Sequence, residues 1–350
     1  EPRRAPLPML GLGGSVATPR RGITAEVLVV SSFEELQRRA ADARGKIVLF
    51  DEVWRGYGPT VQYRGNAANA AARAGAVAAL IRSVTPFPLR TPHTGAMHYD
   101  SGVTRIPSAA LTVEDAAMLH RMQDRGERVV VTLRMQARTL PDSPSQNVMG
   151  EIVGSERPNE VVVIGGHTDS WDVGSGAMDD AGGVAVAWEA VRLMQRLGLR
   201  PRRTVRVVGW VNEENGTRGG EAYRDAHRDQ LDDHVLAIES DGGVFRPTGF
   251  GFTGSDSARA IVRQIGGLLR RIGADSIEGG GGGTDIGPIT ALGVPSMGLE
   301  TDGPRYFWYH HTNADTPDKL DPREMAQCVA AMAVMAYVVA DLPDKLVRGR

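Results

Sequence analysis

The 350-residue chain has one cysteine, three lysines and no apolar run beyond 13 residues, and each scarcity removes a class of protein. A single Cys328 leaves no intramolecular disulfide framework and no cysteine-based zinc finger. It stands in an apolar helical stretch, where a thiol serves as a small buried hydrophobe. The longest apolar run, residues 328–340, is shorter than the roughly 18–20 residues that span a bilayer, so no membrane partner is expected. A dominant charge is lacking too. Forty basic residues face 42 acidic ones, and the arginines that accompany Lys46, Lys319 and Lys345 are spread along the chain. No basic face is left for nucleic acid, and none is expected as a partner.

What is present is an ordinary globular balance, 41% apolar and 23% charged, which excludes a disordered chain. In residues 23–139, strand-like runs at 27–30, 46–50, 77–81 and 129–133 alternate with helical patterns at 33–43, 66–74 and 113–125. Thr112 reads as the N-cap of the last helix, with Asp115 in its first turn. A Pro/Ser-rich connector at 141–146 then marks the best boundary in the chain. Beyond it the strands at 161–164, 204–211, 235–238 and 294–299 are almost wholly apolar, as in sheets covered on both faces. Helical patterns at 183–197, 219–230, 255–272 and 322–342 alternate with them. The expected fold is therefore α/β, a doubly covered and mostly parallel mixed sheet preceded by a smaller α/β module.

Polar residues gather where these strands end, the usual place for sites in open α/β sheets. One apolar run enters Gly165-Gly166-His167-Thr168-Asp169, and Asp179-Asp180 follows at the start of a helix. Another enters Glu213-Glu214, a third Asp241, and the last segment is Tyr309-His310-His311-Thr312-Asn313-Ala314-Asp315-Thr316. Singly, each is more often a solvated loop; together they match the inventory of two divalent cations, one bridging carboxylate and about two terminal ligands each. In the favoured assignment Asp179 bridges, His167 and Asp241 hold one ion, and Glu214 and His311 hold the other. Asp169, two residues past His167 on an extended segment, is placed to accept that ring's second N–H. Glu213 points away from its neighbour and is expected to face the attacking water as general base.

This series of motifs resembles the co-catalytic dizinc peptidases, which include bacterial leucyl aminopeptidases and glutamate carboxypeptidases. The segments 60–64 (Thr-Val-Gln-Tyr-Arg), 108–115, 167–180 and 307–311 carry the likeness furthest, and it covers nearly the whole chain. The resemblance implies a zinc peptidase core with an inserted protease-associated domain, two Zn2+ per chain on the five ligands named, and a cis Asp179–Asp180 peptide, with Asp180 beside the metal ligands. It divides the chain into 1–22, an incomplete N-terminal part of the core; 23–140, the protease-associated domain; and 141–350, the catalytic domain. The implied reaction is hydrolysis of small unblocked peptides, dipeptides above all, by water that the metals activate.

His310 is the expected oxyanion donor, since related glutamate carboxypeptidases place a Tyr just before this ligand. Asp285 is a candidate for a substrate amine, Arg305 for a carboxylate because its fork fits that group, and Tyr309 for a pocket wall. A homodimer and a secreted or periplasmic address follow from the same likeness, the latter also from a chain that begins at Glu1 rather than Met. The related deacylases insert their extra domain among the ligands rather than before His167. A receptor-like inactive module would have lost ligands, and this chain keeps all five and the base; the same set argues against glutaminyl cyclase chemistry on one zinc.

Overall fold

The strands of the first half of the chain are mostly apolar at consecutive positions, 27–30, 47–50 and 78–81 above all, so side chains on both faces of the sheet need cover. The computed structural model describes residues 4–349. Two compact units result, residues up to 143 together with His310–Ala314, and Pro144–Tyr309 together with residues from 315 onward.

The first unit holds β1 (Met9–Gly11), β2 (Ile23–Val30), β3 (Ile47–Phe50), β4 (Ala78–Arg82), β5 (Ser108–Leu111) and β6 (Val130–Leu133). Their order is β1-β5-β4-β3-β2-β6, with the four inner strands parallel and both edges antiparallel. Its helices are α1 (Phe33–Arg38), α2 (Ala40–Ala43), α3 (Tyr57–Arg73) and α4 (Val113–Asp124). Alternation along the strands sends Leu28, Val30, Val48, Phe50, Ala79 and Ile81 to one face and Val27, Val29, Ile47, Leu49, Ala78 and Leu80 to the other. Ala67, Ala68 and Ala71 of α3 pack on the first face, Ala116 and Leu119 of α4 on the second.

Several expectations shift here. The helix read at 66–74 begins at Tyr57, because Pro59 falls in its first turn, where a missing N–H costs nothing. The helix read at 33–43 breaks at Arg39. The segment before residue 23 gives β1, which pairs with β5; residues 1–3 lie outside the described residues.

The second unit holds β7 (Val148–Ile152), β8 (Arg157–His167), β9 (Arg203–Trp210), β10 (His234–Glu239), β11 (Pro247–Thr253), β12 (Ser276–Gly279) and β13 (Ser296–Thr301). Their order is β12-β11-β13-β10-β8-β9-β7. The inner run β13-β10-β8-β9 is parallel; β7 and the β11–β13 pair are antiparallel, so the sheet is mixed. Its helices are α5 (Gly182–Arg196), α6 (Arg218–Ala226), α7 (Asp256–Gly266), α8 (Gly287–Thr290), α9 (Tyr306–Tyr309) and α10 (Pro322–Asp341). One face carries Val162, Ile164, Val205, Val207, Leu236 and Ile238 under α5, α7 and α10; the other carries Val161, Val163, Val208 and Ala237 under Tyr223 of α6 and Ile289 of α8.

The 20-residue α10 is long and apolar enough by composition to cross a membrane, but half of that stretch is buried inside the second unit. Cys328 lies within it, fully buried, its thiol donating to the Phe245 carbonyl at 3.0 Å. Residues 306–309, which include the candidate pocket-wall residue Tyr309, form the short helix α9 with no fully buried side chain.

Candidate metal centre

Because β9, β8 and β10 are parallel neighbours, their carboxyl ends converge, and the predicted motifs start there. His167 is the last residue of β8, Glu213 and Glu214 follow β9, and Asp241 lies two residues past β10. Asp179 and Asp180 sit in a kinked turn at 177–181 that opens α5, after Gly176 in the left-handed region (φ 63°), and their peptide is cis.

His167 is fully buried, and its two ring nitrogens have different surroundings. Nδ1 lies 2.8 Å from the carbonyl oxygen of Asp169; a carbonyl only accepts, so this nitrogen bears the proton. Nε2 then presents a lone pair, and it faces Asp179 Oδ1 at 3.1 Å and Asp241 Oδ1 at 3.3 Å. Three acceptor atoms converge, an arrangement satisfied only by a cation or an added proton among them. A divalent ion fits this donor set of one imidazole and two carboxylates, and His167, Asp180 and Asp241 also lie close enough to share one.

The surrounding electrostatics agree. Burial alone would pull the His167 imidazolium down, but hydrogen bonds to Asp179 and Asp241 hold it well above the usual histidine range. Burial, with the charge of Asp179, pushes Asp241 up to about 7. Burial also raises Asp180 well above the carboxylate range.

The acids around this core bind backbone. Asp180 accepts the N–H of His167 at 3.0 Å and of Gly183 at 3.1 Å, which ties β8 to the start of α5. A Cβ at Gly166 or Gly183 would run into its carboxylate, so both positions need glycine. Asp169 departs from expectation. Its backbone carbonyl takes the His167 N–H, whereas its carboxylate, 3.9 Å from that nitrogen, accepts the N–H groups of Glu213 at 3.0 Å and Glu214 at 3.2 Å. Asp169 therefore aims both the histidine and the Glu-Glu step.

Sequence reasoning gave no role to two further acids. Asp315 accepts from Met178 N at 2.6 Å and Asp179 N at 3.1 Å, fixing the backbone that carries the expected bridging ligand. It ends the motif that contains the two histidines, and that position was its only signal. Glu239, fully buried two residues before Asp241, accepts the N–H of Ile286 at 2.9 Å, and burial together with Asp241 pushes it up to about 8. A glutamate closing an apolar strand gives no sequence signal of its own.

Asp285 is 1% exposed, and burial with the charge of Glu239 pushes it up to about 9. Arg305 Nη2 donates to Glu324 at 2.7 Å, and its guanidinium lies over the Phe245 ring. Tyr309, on α9, packs half-buried against the main core.

His310 and His311 group with the first unit and are described there. Both are buried, and their rings stack at 3.7 Å. Tyr57 meets His310 edge-on at 5.3 Å. His311 Nδ1 lies 3.1 Å from the Thr94 carbonyl and 3.2 Å from Arg64 Nη1.

Comparison with known proteins follows the same division. Residues 147–336 match peptidase family M28 and residues 16–119 match the PA domain. Carboxypeptidase Q of Mus musculus is 49% identical over 99% of this chain and 74% of its own length. The solved Peptidase M28 precursor from Shewanella amazonensis superposes with a TM-score of 0.95 at 37% identity, over 99% of this chain and 80% of that one. BSAP, a zinc aminopeptidase from Bacillus subtilis, shares the fold at a TM-score of 0.69 and 21% identity, over 98% of this chain and 82% of its own. The chain belongs to peptidase family M28 and is a metallopeptidase of that family with a PA domain.

Proposed function

We propose that the protein is a zinc exopeptidase that binds two zinc ions and hydrolyses small unblocked peptides, dipeptides among them. One observation carries the reading: His167 Nε2, its partner nitrogen spent on the Asp169 carbonyl, faces two carboxylates at 3.1 and 3.3 Å. Asp179 would bridge, His167 and Asp241 would complete one ion, and Glu214 and His311 the other. When bound, the pair supplies Lewis acidity that lowers the pKa of water and polarises a scissile carbonyl.

The remaining chemistry belongs to the chain. Glu213, its backbone held by Asp169, takes the proton from the attacking water and passes it to the leaving amine. His310, fixed between His311 and Tyr57, is assigned as the donor to the developing oxyanion. Tyr309 is assigned to the substrate pocket. Likeness to carboxypeptidase Q at 49% identity favours removal of a C-terminal residue. A homodimer acting outside the cytoplasm extends the same likeness, and a monomer mass by sedimentation would remove the dimer.

The test is hydrolysis of a dipeptide library by protein of measured metal content, with Glu213→Gln beside it. Two zinc ions per chain are expected in both, with kcat lower in the variant by about 10²–10⁴. A variant as fast as the parent would remove Glu213 as base, and a single zinc per chain would remove the paired site.

A further inference from the structure

We infer that the loop between β9 and α6 carries a self-modification site: Asn215, followed by Gly216, cyclises and loses its side-chain amide as ammonia, and the isoaspartate that results displaces the Glu213-Glu214 step. The modification stands on the loop alone; its consequence rests on the roles proposed for those two glutamates. Of the seven asparagines in the chain, only Asn215 precedes a glycine. Asn215 and Gly216 are both exposed. Gly216 N donates to the Glu213 carbonyl at 3.3 Å, closing a turn whose third residue is Asn215. That bond is at the long end of the range, and an exposed turn exchanges it readily for water. Gly216 has no side chain to keep its nitrogen from the Asn215 side-chain carbon. Asn212, in the left-handed region at φ 69°, donates from Nδ2 to Asn215 Oδ1. A Cβ at Gly216 would run into the Asn212 amide, so glycine is needed for this contact as well as for the attack.

The Gly216 nitrogen, having given its proton to water, bonds to Asn215 Cγ. Negative charge develops on Oδ1, where the Asn212 N–H already points. The Cγ–Nδ2 bond then breaks, ammonia leaves with a proton from solvent, and a succinimide ring remains. Water reopens the ring at either carbonyl. Opening at the side-chain carbonyl gives aspartate. Opening at the backbone carbonyl gives isoaspartate, whose main chain runs through the side-chain carbons and is one methylene longer. Both products exchange a neutral amide for a carboxylate.

The added methylene falls between two anchors. On one side the Asp169 carboxylate holds the N–H groups of Glu213 and Glu214 at 3.0 and 3.2 Å. On the other, Gly219 N donates to the Val211 carbonyl at 3.1 Å, and the Asn147 side chain bonds Val211 N at 3.1 Å and the Gly219 carbonyl at 2.9 Å. With Val211 and Gly219 tied together, the extra length is taken up between them, in the stretch that carries both glutamates, and a new charge arrives beside them.

The test ages the full chain, with and without zinc, at mildly alkaline pH beside a synthetic peptide of residues 207–218. Tryptic mass mapping of the same stretch, between Arg206 and Arg218, should show Asn215 deamidated before the other asparagines, with isoaspartate exceeding aspartate. Asn212→Asp, which turns the donor into an acceptor, should age about tenfold or more slowly. In the purified isoaspartate fraction kcat should fall about tenfold or more, and one of two zinc ions should be held about 10–100-fold more weakly. Asn215→Gln should not age and should keep parental kcat and zinc retention. Asn215→Asp should keep most of both, since the charge arrives there without the extra methylene. Asn215 intact in the folded chain after the peptide has deamidated overturns the inference. So does an isoaspartate fraction with parental kcat and zinc retention while Glu213→Gln is slow. Glu213→Gln as fast as the parent removes the catalytic reading instead and leaves the modification standing, and parental ageing of Asn212→Asp removes Asn212 from it.

Discussion

Asp169 shows how much a single carboxylate organises. Its backbone oxygen orients His167, and its side chain receives two consecutive N–H groups, those of Glu213 and Glu214. Asparagine at this position keeps one acceptor oxygen and replaces the other with an NH2 donor, which would face an N–H and push the Glu-Glu step aside. Asp169→Asn is expected to lower kcat about tenfold and metal affinity by a comparable factor, in the range seen when groups behind a ligand are changed. Its unfolding midpoint should stay close to the parent's, because the side chain is partly exposed and its loss opens no cavity. Steady-state kinetics with zinc titration would check this, and parental values for both would show that the backbone alone aims the glutamates.

At the scale of elements, the long apolar strands and capped helices were the legible parts. The α4 cap is a case in point. Thr112 sits before the helix in extended backbone, and its hydroxyl accepts from Asp115 N at 3.0 Å, as the Thr-Val-Glu-Asp order predicts. Because Thr112 is buried, an unsatisfied N–H would follow its loss. Thr112→Ala is expected to cost about 0.5–2 kcal/mol of stability and Thr112→Ser much less, read by urea denaturation. Less legible were β5 and β11. The first is Ser-Ala-Ala-Leu, short of β-branched residues, and in the second Gly249 and Gly251 alternate with the two phenylalanines. Each is a strand because neighbours on both sides pair with it, which no local propensity encodes.

For the whole molecule, the concentration of buried acids has a thermodynamic consequence. Asp241, Glu239 and Asp285 sit at about 7, 8 and 9 in the folded chain, all above their values in an unfolded one. The folded metal-free protein thus binds more protons than the unfolded chain between about pH 4 and 9, and its stability must fall as pH rises through that window. His167, also raised, adds in the same direction, its stabilisation being complete below about pH 6.5 and lost as pH rises. Metal-free protein should therefore melt progressively lower from pH 5 to pH 9. Zinc should reverse the trend, since a cation replaces the protons among the same oxygens. Thermal scans with and without zinc across this range decide the matter; a flat metal-free profile would show that these acids are not the crowded group described.

The sequence by itself determined the α/β class, the strands that end in chemistry and the identities of the acids and histidines that follow them. Apolar runs and ligand-type residues are local features, readable one segment at a time. Only the tertiary structure decided that β8, β9 and β10 lie side by side, that the Asp169 carbonyl rather than its carboxylate takes the His167 proton, that Asp285 is buried and that Arg305 pairs with Glu324. It also decided that Arg64 and Thr94 meet a histidine more than 200 residues further along the chain. Such choices depend on which hydrogen-bonding atoms meet once distant segments pack, and burial makes each partner obligatory in a way that spacing along a chain cannot express.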